Sequence, residues 1–291
     1  MARLANTFAF TIFPHIASPT GTRYAPRMNV PETKRPAARP PRARRAASRR
    51  LFLFESLPST NRWALDHAFE LRHGDAVRAI LQTAGRGRFE RVWISPGDRG
   101  LAVTLLLRPP RRKDWMAQKC GFAAALAVRD TLFALGLPAQ LKWPNDVMVR
   151  GCKIAGILAE RNDPAGPVAL GIGVNVNLTR ADFHGAELLY PATSMRIETG
   201  RAFDVASVCK RLLRRFDLWW RKMDTHGPPC IRQAWARHDY LLDKTIAVRS
   251  PAEHVVGRYA GMDDEGRLIL ARPGEEVRLF WSGDVSLAPQ S

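Results

Sequence analysis

The sequence is short of the features that identify several common classes of protein. Its 291 residues contain no apolar run of 18 or more, so the sequence predicts no membrane-spanning helix. Only four cysteines occur, without a CxxC pair, and the seven histidines form no HExxH motif. These patterns argue against a disulfide framework and a transition-metal site, and they indicate reduced thiols in a cytoplasmic protein.

Acidic residues are also scarce relative to basic ones. The chain has 45 Lys and Arg against 27 Asp and Glu, a formal net charge of +18, and residues 1–50 hold 11 of the basic residues and one acidic residue. Because this stretch is rich in Pro, Ala and Arg, it cannot bury enough apolar surface to fold, and we predict a basic disordered extension. Three origins stay open: an arm that binds nucleic acid or acidic surfaces, an organelle transit peptide, or a start codon assigned too early.

The remaining residues alternate between short apolar runs and amphipathic helical patterns, without a regular βαβ repeat. Ser59 or Thr60 is expected to cap the first helix, and Gly151 is expected in the turn of a β-hairpin. We therefore predict an α+β fold, with a mixed sheet and flanking helices over residues 51–238. Short alternating strands over residues 239–291 predict a small β-barrel.

The stretch GRGRFERVW, residues 85–93, combines glycines, arginines and a tryptophan. Arg86, Arg88 and Arg91 could hold a carboxylate and a phosphate, because a guanidinium matches both groups. Trp93 offers a stacking face for a purine. A solvated turn explains the same residues without a ligand, so the stretch alone leaves both interpretations open.

The stretch KWPND places Lys142, Asn145 and Asp146 close together, and Lys153 follows in the next strand. Carboxylate and amide oxygens can bind Mg²⁺, and lysines neutralise phosphate charge, so this set suits a nucleotide with its metal. The alternative is a hairpin with ordinary polar residues on its surface.

The stretch GIGVNVN, residues 171–177, places glycines in an apolar strand. Gly171 and Gly173 leave room for a ligand against the sheet. Asn175 is polar within this strand and needs a partner, which could be a nucleotide or an internal backbone group.

Together, STN (residues 59–61), QTAGRGRFERVWISP (82–96), KWPND, KIAGIL and GIGVNVN resemble biotin–protein ligases in order and spacing. The resemblance covers residues 51–287. It implies a class II synthetase-like catalytic domain followed by an SH3-like barrel. It also implies a two-step reaction, in which biotin and ATP form biotinyl-5′-AMP and biotin then passes to a lysine of a biotin carboxyl carrier protein.

The resemblance further implies positions for the site residues. The expected biotin site contains Ser59, Thr60, Gln82, Gly85, Arg86, Arg88, Lys153, Gly156 and Gly171. The expected nucleotide site contains Arg91, Trp93, Lys142, Asn145, Asp146 and Asn175. Lys153 and Arg88 are expected to be catalytic, and Asp146 is the expected Mg²⁺ ligand.

This chain also departs from the family pattern. Many members have Arg-Gly where this chain has Phe89-Glu90. Nothing in residues 1–50 indicates a helix-turn-helix, so no specific DNA binding is expected, and the chain could form a homodimer. Two alternatives remain: a lipoate or octanoate ligase of the same fold, and a basic nucleic-acid-binding protein that uses the extension and the arginine stretch.

Overall fold

The computed structural model describes residues 49–94, 96–110, 115–185, 190–250 and 253–288. Apart from Arg49 and Arg50, the basic extension predicted for residues 1–50 lies outside the described residues. Among the described helices, none combines the length and apolarity that a membrane crossing requires.

Seven strands form one mixed sheet, as predicted. They are β1 (Leu51–Leu57), β2 (Ala76–Gln82), β3 (Gly100–Leu107), β4 (Ala139–Lys142), β5 (Asp146–Val149), β6 (Cys152–Glu160) and β7 (Val168–Asn175). Their spatial order is β1-β2-β3-β7-β6-β5-β4, and only β1 and β2 run parallel. All eight residues of the central strand β3 are buried, because helices cover both faces of the sheet.

Within the described residues, five α-helices flank this sheet. They are α1 (Thr60–Asp66), α2 (Trp115–Phe133), α3 (Met195–Thr199), α4 (Val205–His226) and α5 (Pro229–Ala236). Leu105 of β3 belongs to the core that includes α2 and α4, whereas Leu106 belongs to the smaller core beside α1. This division follows the alternation of side chains along a strand, and it leaves Thr104 on the α1 side, where it contacts Thr60.

The first helix begins close to its predicted position. Ser59 is extended, and its hydroxyl accepts a hydrogen bond from the Arg62 amide at 3.4 Å, so Ser59 is the N-cap. Asp204 caps α4 in the same way by accepting from the Ala206 and Ser207 amides. The cap at Ser59 is one of the two residues that the sequence predicted, and the cap at Asp204 is a finding of the structure.

The predicted hairpin is correct at Gly151. Arg150 and Gly151 connect β5 to β6 with φ of 49° and 78°, values typical of a tight two-residue hairpin turn. Before the hairpin, a turn at residues 143–145 separates β4 from β5, as the close placement of Lys142, Asn145 and Asp146 in KWPND led us to expect. Pro144 lacks an amide hydrogen and cannot continue the ladder, which explains the turn.

Five further strands form a small antiparallel sheet near the C-terminus. They are β8 (Thr245–Arg249), β9 (His254–Met262), β10 (Leu268–Ala271), β11 (Arg278–Phe280) and β12 (Asp284–Leu287), in the order β11-β10-β9-β8-β12. The Trp143 indole donates to the Gly266 carbonyl at 3.0 Å, so the two sheets touch at the β4–β5 bend. The boundary between residues 238 and 239 stays a prediction.

Candidate functional site

A cavity of about 560 Å³ is formed by both sheets together. The N-terminus of α1, strands β5 to β7, and the segment between β2 and β3 form most of its wall. Residues 283–285 of the small sheet complete the wall. Every residue predicted for the biotin and nucleotide sites lines this cavity except Gly85.

One end of the cavity is neutral and polar. The Gln82 side-chain oxygen accepts hydrogen bonds from the Thr60 amide at 2.8 Å and from the Thr60 hydroxyl at 3.0 Å. Because this oxygen is occupied, the amide nitrogen of Gln82 is the group left to donate to a ligand. Ser59 lies beside them as the cap of α1.

Asn61 is a lining residue to which the sequence analysis gave no role. Its side-chain oxygen accepts from the Thr104 hydroxyl at 2.6 Å, and its nitrogen donates to Glu160 at 2.7 Å. A Cβ on Gly171 would lie 2.5 Å from the Asn61 oxygen, so glycine is required there to seat Asn61. Thr104, a polar residue inside the buried run GLAVTLLL, was the sequence signal that could have revealed this network.

The arginine loop, residues 85–93, is a tight turn closed by its own backbone. The Trp93 amide donates to the Gly85 carbonyl at 2.9 Å, and the Gly87 amide donates to the Arg91 carbonyl at 2.6 Å. A Cβ on Gly85 would lie 2.5 Å from the Trp93 carbonyl oxygen, so only glycine permits this approach. Gly85 therefore shapes the base of the loop and is not among the residues that line the cavity, and its place in the biotin site stays a prediction.

The three arginines of the loop have different partners. Arg86 forms an ion pair with Glu160 at 3.1 Å, and Arg91 bonds Asp284 of the small sheet at 2.9 Å. Arg88 instead donates to two neutral oxygens, the Asn145 side chain at 3.4 Å and the Gly283 carbonyl at 3.3 Å. Burial lowers the pKa of Arg88 below its usual range, although a guanidinium stays protonated at neutral pH.

The tip of the loop has an unusual backbone at Phe89. Its φ of 53° lies in the left-handed region, where glycine is favoured. Its half-exposed ring lies 4.8 Å from the Arg88 guanidinium and 5.8 Å from that of Arg91. These cation–π contacts offset part of the backbone cost of the left-handed conformation at Phe89.

Trp93 packs on two glycines of the sheet. A Cβ on Gly173 would lie 2.4 Å from the indole, and one on Gly156 would lie 3.2 Å from it. The Lys153 ammonium lies 5.9 Å from the centroid of the ring. In this structure Gly156 and Gly173 therefore make room for Trp93, which covers β6 and β7 at the centre of the cavity.

The other end of the cavity is cationic. The Lys153 ammonium lies 2.5 Å from one Asp146 oxygen, and the Lys142 ammonium lies 3.9 Å from the other. Lys142 also lies 3.8 Å from the Tyr190 ring centroid, and burial lowers the pKa of Lys142 to about 8. Two ammonium groups thus share one carboxylate, which leaves excess positive charge beside Arg88.

Two predicted asparagines are fixed by backbone carbonyls. The Asn145 nitrogen donates to Ile157 at 2.9 Å, and the Asn175 nitrogen donates to Thr193 at 3.0 Å. The internal partner considered for Asn175 is therefore present, and the side chain still lines the cavity.

Several lining residues had no local signal in the sequence. Gly283, Asp284 and Val285 come from the small sheet, and Tyr190 donates from its hydroxyl to the Val285 carbonyl. Asp284 lies 193 positions from Arg91 in the chain, and only the packing of the two sheets brings them together.

Comparison with known proteins agrees with this architecture. The family model for the biotin/lipoate A/B protein ligase family matches residues 53–177, and that for the biotin protein ligase C terminal domain matches residues 241–288. The two matches divide the chain between the large sheet and the small sheet.

Characterised relatives carry ligase names. The chain is 39% identical over 226 residues to the biotin–[acetyl-CoA-carboxylase] ligase of Paracoccus denitrificans, covering 75% of this chain and 93% of that one. It is 35% identical over 217 residues to the bifunctional ligase/repressor BirA of Bacillus spizizenii, covering 74% of this chain. That second alignment spans 66% of the relative, just under two thirds of its length.

A solved structure has the same fold. The biotin protein ligase from Aquifex aeolicus, in complex with biotin and ATP, superposes with a TM-score of 0.72 at 26% identity. The match covers 82% of this chain and 98% of that one. Two domain matches, a relative aligned over nearly its whole length and this shared fold all agree, so the chain belongs to the biotin protein ligase family.

Proposed function

We propose that this chain is an ATP-dependent biotin–protein ligase. It activates biotin to biotinyl-5′-AMP with release of pyrophosphate, and it transfers biotin to a lysine of a biotin carboxyl carrier protein with release of AMP. The observation that carries the proposal is the polarity of the cavity, which is neutral at the Thr60–Gln82 end and cationic at the Lys142–Lys153 end.

The neutral end suits the ring system of biotin. A ureido group has a carbonyl acceptor and N–H donors, and the Gln82 amide nitrogen and the Ser59 hydroxyl can pair with them. The cationic end suits the carboxylate of biotin and the phosphates of ATP. A ligand with one neutral polar end and one anionic end therefore matches the cavity along its length, and the bound ATP and biotin of the Aquifex aeolicus relative support this assignment.

The main electrostatic barrier of the first step is the approach of two anions. The biotin carboxylate attacks the α-phosphate, and charge accumulates on that phosphate as pyrophosphate leaves. Lys153 and Arg88 are assigned to stabilise this charge, because each lines the cavity and Arg88 donates its hydrogen bonds within the described residues to neutral oxygens. Fixed cations of this kind need no reorganisation during the reaction, so positioning and electrostatics account for the catalysis without an enzyme nucleophile.

Asp146 and Asn145 are the side chains that fit a magnesium ion. Mg²⁺ is commonly bound by one or two protein oxygens together with substrate phosphates, and Asp146 faces the cavity beside the cationic end. With ATP present, Asp146 would hold the ion, which would neutralise phosphate charge. The two lysines that now balance Asp146 would then be free to contact phosphates.

The carrier protein, the cellular location and the oligomeric state are further parts of the proposal. Biotin carboxyl carrier protein is the expected acceptor, in keeping with the name of the Paracoccus denitrificans relative. The four scattered cysteines, which include no CxxC pair, support a cytoplasmic location. A homodimer stays a prediction that sedimentation velocity would test.

The decisive test is pyrophosphate release that requires both biotin and ATP. The full-length chain should release pyrophosphate with biotin and not with lipoate or octanoate, and it should add one biotin mass to a carrier domain. Release with lipoate alone would make the chain a lipoate ligase of the same fold. Omission of Mg²⁺ in the same assay tests the metal assignment.

A further inference from the structure

Six polar side chains form a continuous chain of contacts from the neutral end of the cavity, at Thr60 and Gln82, to the arginine loop. In order, they are Gln82, Thr60, Thr104, Asn61, Glu160 and Arg86. Each contact joins residues from different elements, so the chain crosses from β2 through α1 and β3 to the end of β6. Asn61, Thr104 and Glu160 have no role in the function proposed above.

Glu160 is the member that joins the neutral end of the cavity, through Asn61, to the arginine loop, through Arg86. One of its oxygens accepts from the Asn61 nitrogen at 2.7 Å, and the other lies 3.1 Å from the Arg86 guanidinium. Its side chain is 17% exposed, so these contacts replace most of its hydration. Because the Asn61 nitrogen donates to Glu160 and the Leu158 carbonyl, its oxygen is directed at Thr104, and the orientation of the amide is fixed.

The pairing also separates the roles of the loop arginines. Glu160 pairs directly with Arg86, whereas the hydrogen bonds that Arg88 makes within the described residues go to neutral oxygens, and the Asp284 and Asp146 carboxylates act on it without a direct ion pair. An anionic ligand gains more from Arg88 than from Arg86, since an anion at Arg86 would also meet the Glu160 carboxylate. Arg86 is therefore suited to hold the loop in place.

We infer that Glu160 is a positioning residue that fastens the start of the arginine loop to the biotin side of the cavity. This inference rests on the proposed function and extends it to a residue outside the expected site. With the Arg86–Glu160 ion pair present, the loop stays packed over the Thr60–Gln82 end of the cavity, and bound biotinyl-5′-AMP is retained and shielded from water. Without this ion pair, the same cations remain, but the loop opens away from the Thr60–Gln82 end more often.

The test uses Glu160→Gln, which keeps an acceptor for Asn61 and removes the charge that holds Arg86. The matched control is Glu198→Gln. Glu198 is similarly buried, pairs with Arg150 at 3.0 Å, accepts from the Thr193 hydroxyl at 2.6 Å and does not line the cavity. A merely structural loss of one buried carboxylate would affect both variants alike.

Two measurements are made on full-length protein. The first is amide hydrogen exchange over residues 86–93 in the free protein, which is independent of activity. The second is release of biotinyl-5′-AMP without carrier, with KM for biotin and kcat for pyrophosphate release measured separately. In Glu160→Gln we expect exchange and adenylate release each to rise about fivefold and KM for biotin to rise, while kcat stays within about twofold.

A double-mutant cycle with Arg86→Gln identifies the contact responsible. If Glu160 acts through Arg86, then Arg86→Gln reproduces the effect and the double variant adds nothing further. Arg86→Gln also carries the test alone if Glu160→Gln fails to fold. The inference is overturned if either variant matches Glu198→Gln in exchange and in adenylate release. If the wild-type protein shows no biotin-dependent pyrophosphate release, the proposed function is refuted. The hydrogen-exchange measurement would still test whether the Glu160–Arg86 contact holds the loop.

Discussion

The buried ammonium of Lys142 should give the proposed first step an alkaline limit. Burial lowers the pKa of Lys142 from 10.5 to about 8, a change that corresponds to about 3 kcal/mol of preference for the neutral amine. At pH 8 about half of the free enzyme should carry this charge, and at pH 9 about a tenth should. Because the charge is assigned to phosphate binding, kcat/KM for ATP should fall about tenfold per pH unit above 8.

The assay is biotin-dependent pyrophosphate release between pH 6.5 and 9.5 at constant ionic strength. The kcat/KM profile reports the free enzyme, whereas kcat reports the bound state, in which phosphate raises the pKa of the lysine. The alkaline limb of kcat should therefore lie at higher pH than that of kcat/KM. Lys142→Arg, whose side chain stays charged, should remove the alkaline limb of the kcat/KM profile. Lys142→Met should have a low kcat/KM that does not change with pH across this range.

A second buried lysine provides the control. Burial also lowers the pKa of Lys119, which lies on α2 and does not line the cavity. Lys119→Met should keep the alkaline limb of the wild-type protein. A kcat/KM profile that stays flat to pH 9.5, or an unchanged limb in Lys142→Met, would refute the assignment.

Above pH 8, the loss of the Lys142 charge should raise the free energy of unfolding, although it lowers kcat/KM. Since Lys142 titrates near 8 in the folded state and near 10.5 in the unfolded state, the unfolded chain binds more protons between those values. The contribution of Lys142 to the free energy of unfolding is unfavourable below pH 8, and it is relieved as the pH rises from 8 to 10.5. Urea unfolding of wild type and Lys142→Met across this window should show the difference.

Three further outcomes are expected. Lys153→Ala should lower the rate of adenylate formation at least a hundredfold while circular dichroism shows an intact fold, and wild-type rates would remove its catalytic assignment. Gly173→Ala should displace the Trp93 indole, because the new methyl would lie 2.4 Å from it, and a more than tenfold loss of kcat/KM is expected, with unchanged kinetics counting against the packing described. Burial raises the pKa of Asp239 to about 6, so ionisation of this carboxyl should lower the free energy of unfolding as the pH rises from 4 to 6. In urea unfolding, Asp239→Asn should therefore stabilise the protein by up to about 3 kcal/mol at pH 7 and leave its stability unchanged at pH 4.

Local patterns were sufficient for most of the elements. Ser59 before α1, the apolar run of β3 and the turn at Gly151 each depend on interactions within a few residues, and the structure has all three. The turn at Pro144 belongs to the same group, because proline lacks an amide hydrogen and interrupts the strand locally.

The sequence motifs name residues that the fold brings to one cavity, but they do not give the contacts between those residues. The motifs identify Thr60, Gln82, Arg88 and Lys153, and all of them line one cavity. Gly85 was assigned to biotin because a glycine in a loop is compatible with either a close ligand or a close backbone. A Cβ on Gly85 would lie 2.5 Å from the Trp93 carbonyl oxygen, so closure of the loop already requires glycine there, and contact of Gly85 with biotin stays a prediction.

By itself, the sequence determined the order of strands and helices, the family resemblance and the residue types at the cavity, because these depend on local periodicity and on motifs. Only the tertiary structure decided which carboxylate balances which cation. Glu160 pairs with Arg86, Asp284 with Arg91, and Asp146 is shared by two lysines. Charge interactions depend on distance through space and on burial, so partners far apart in the chain become identifiable only after the sheets have packed.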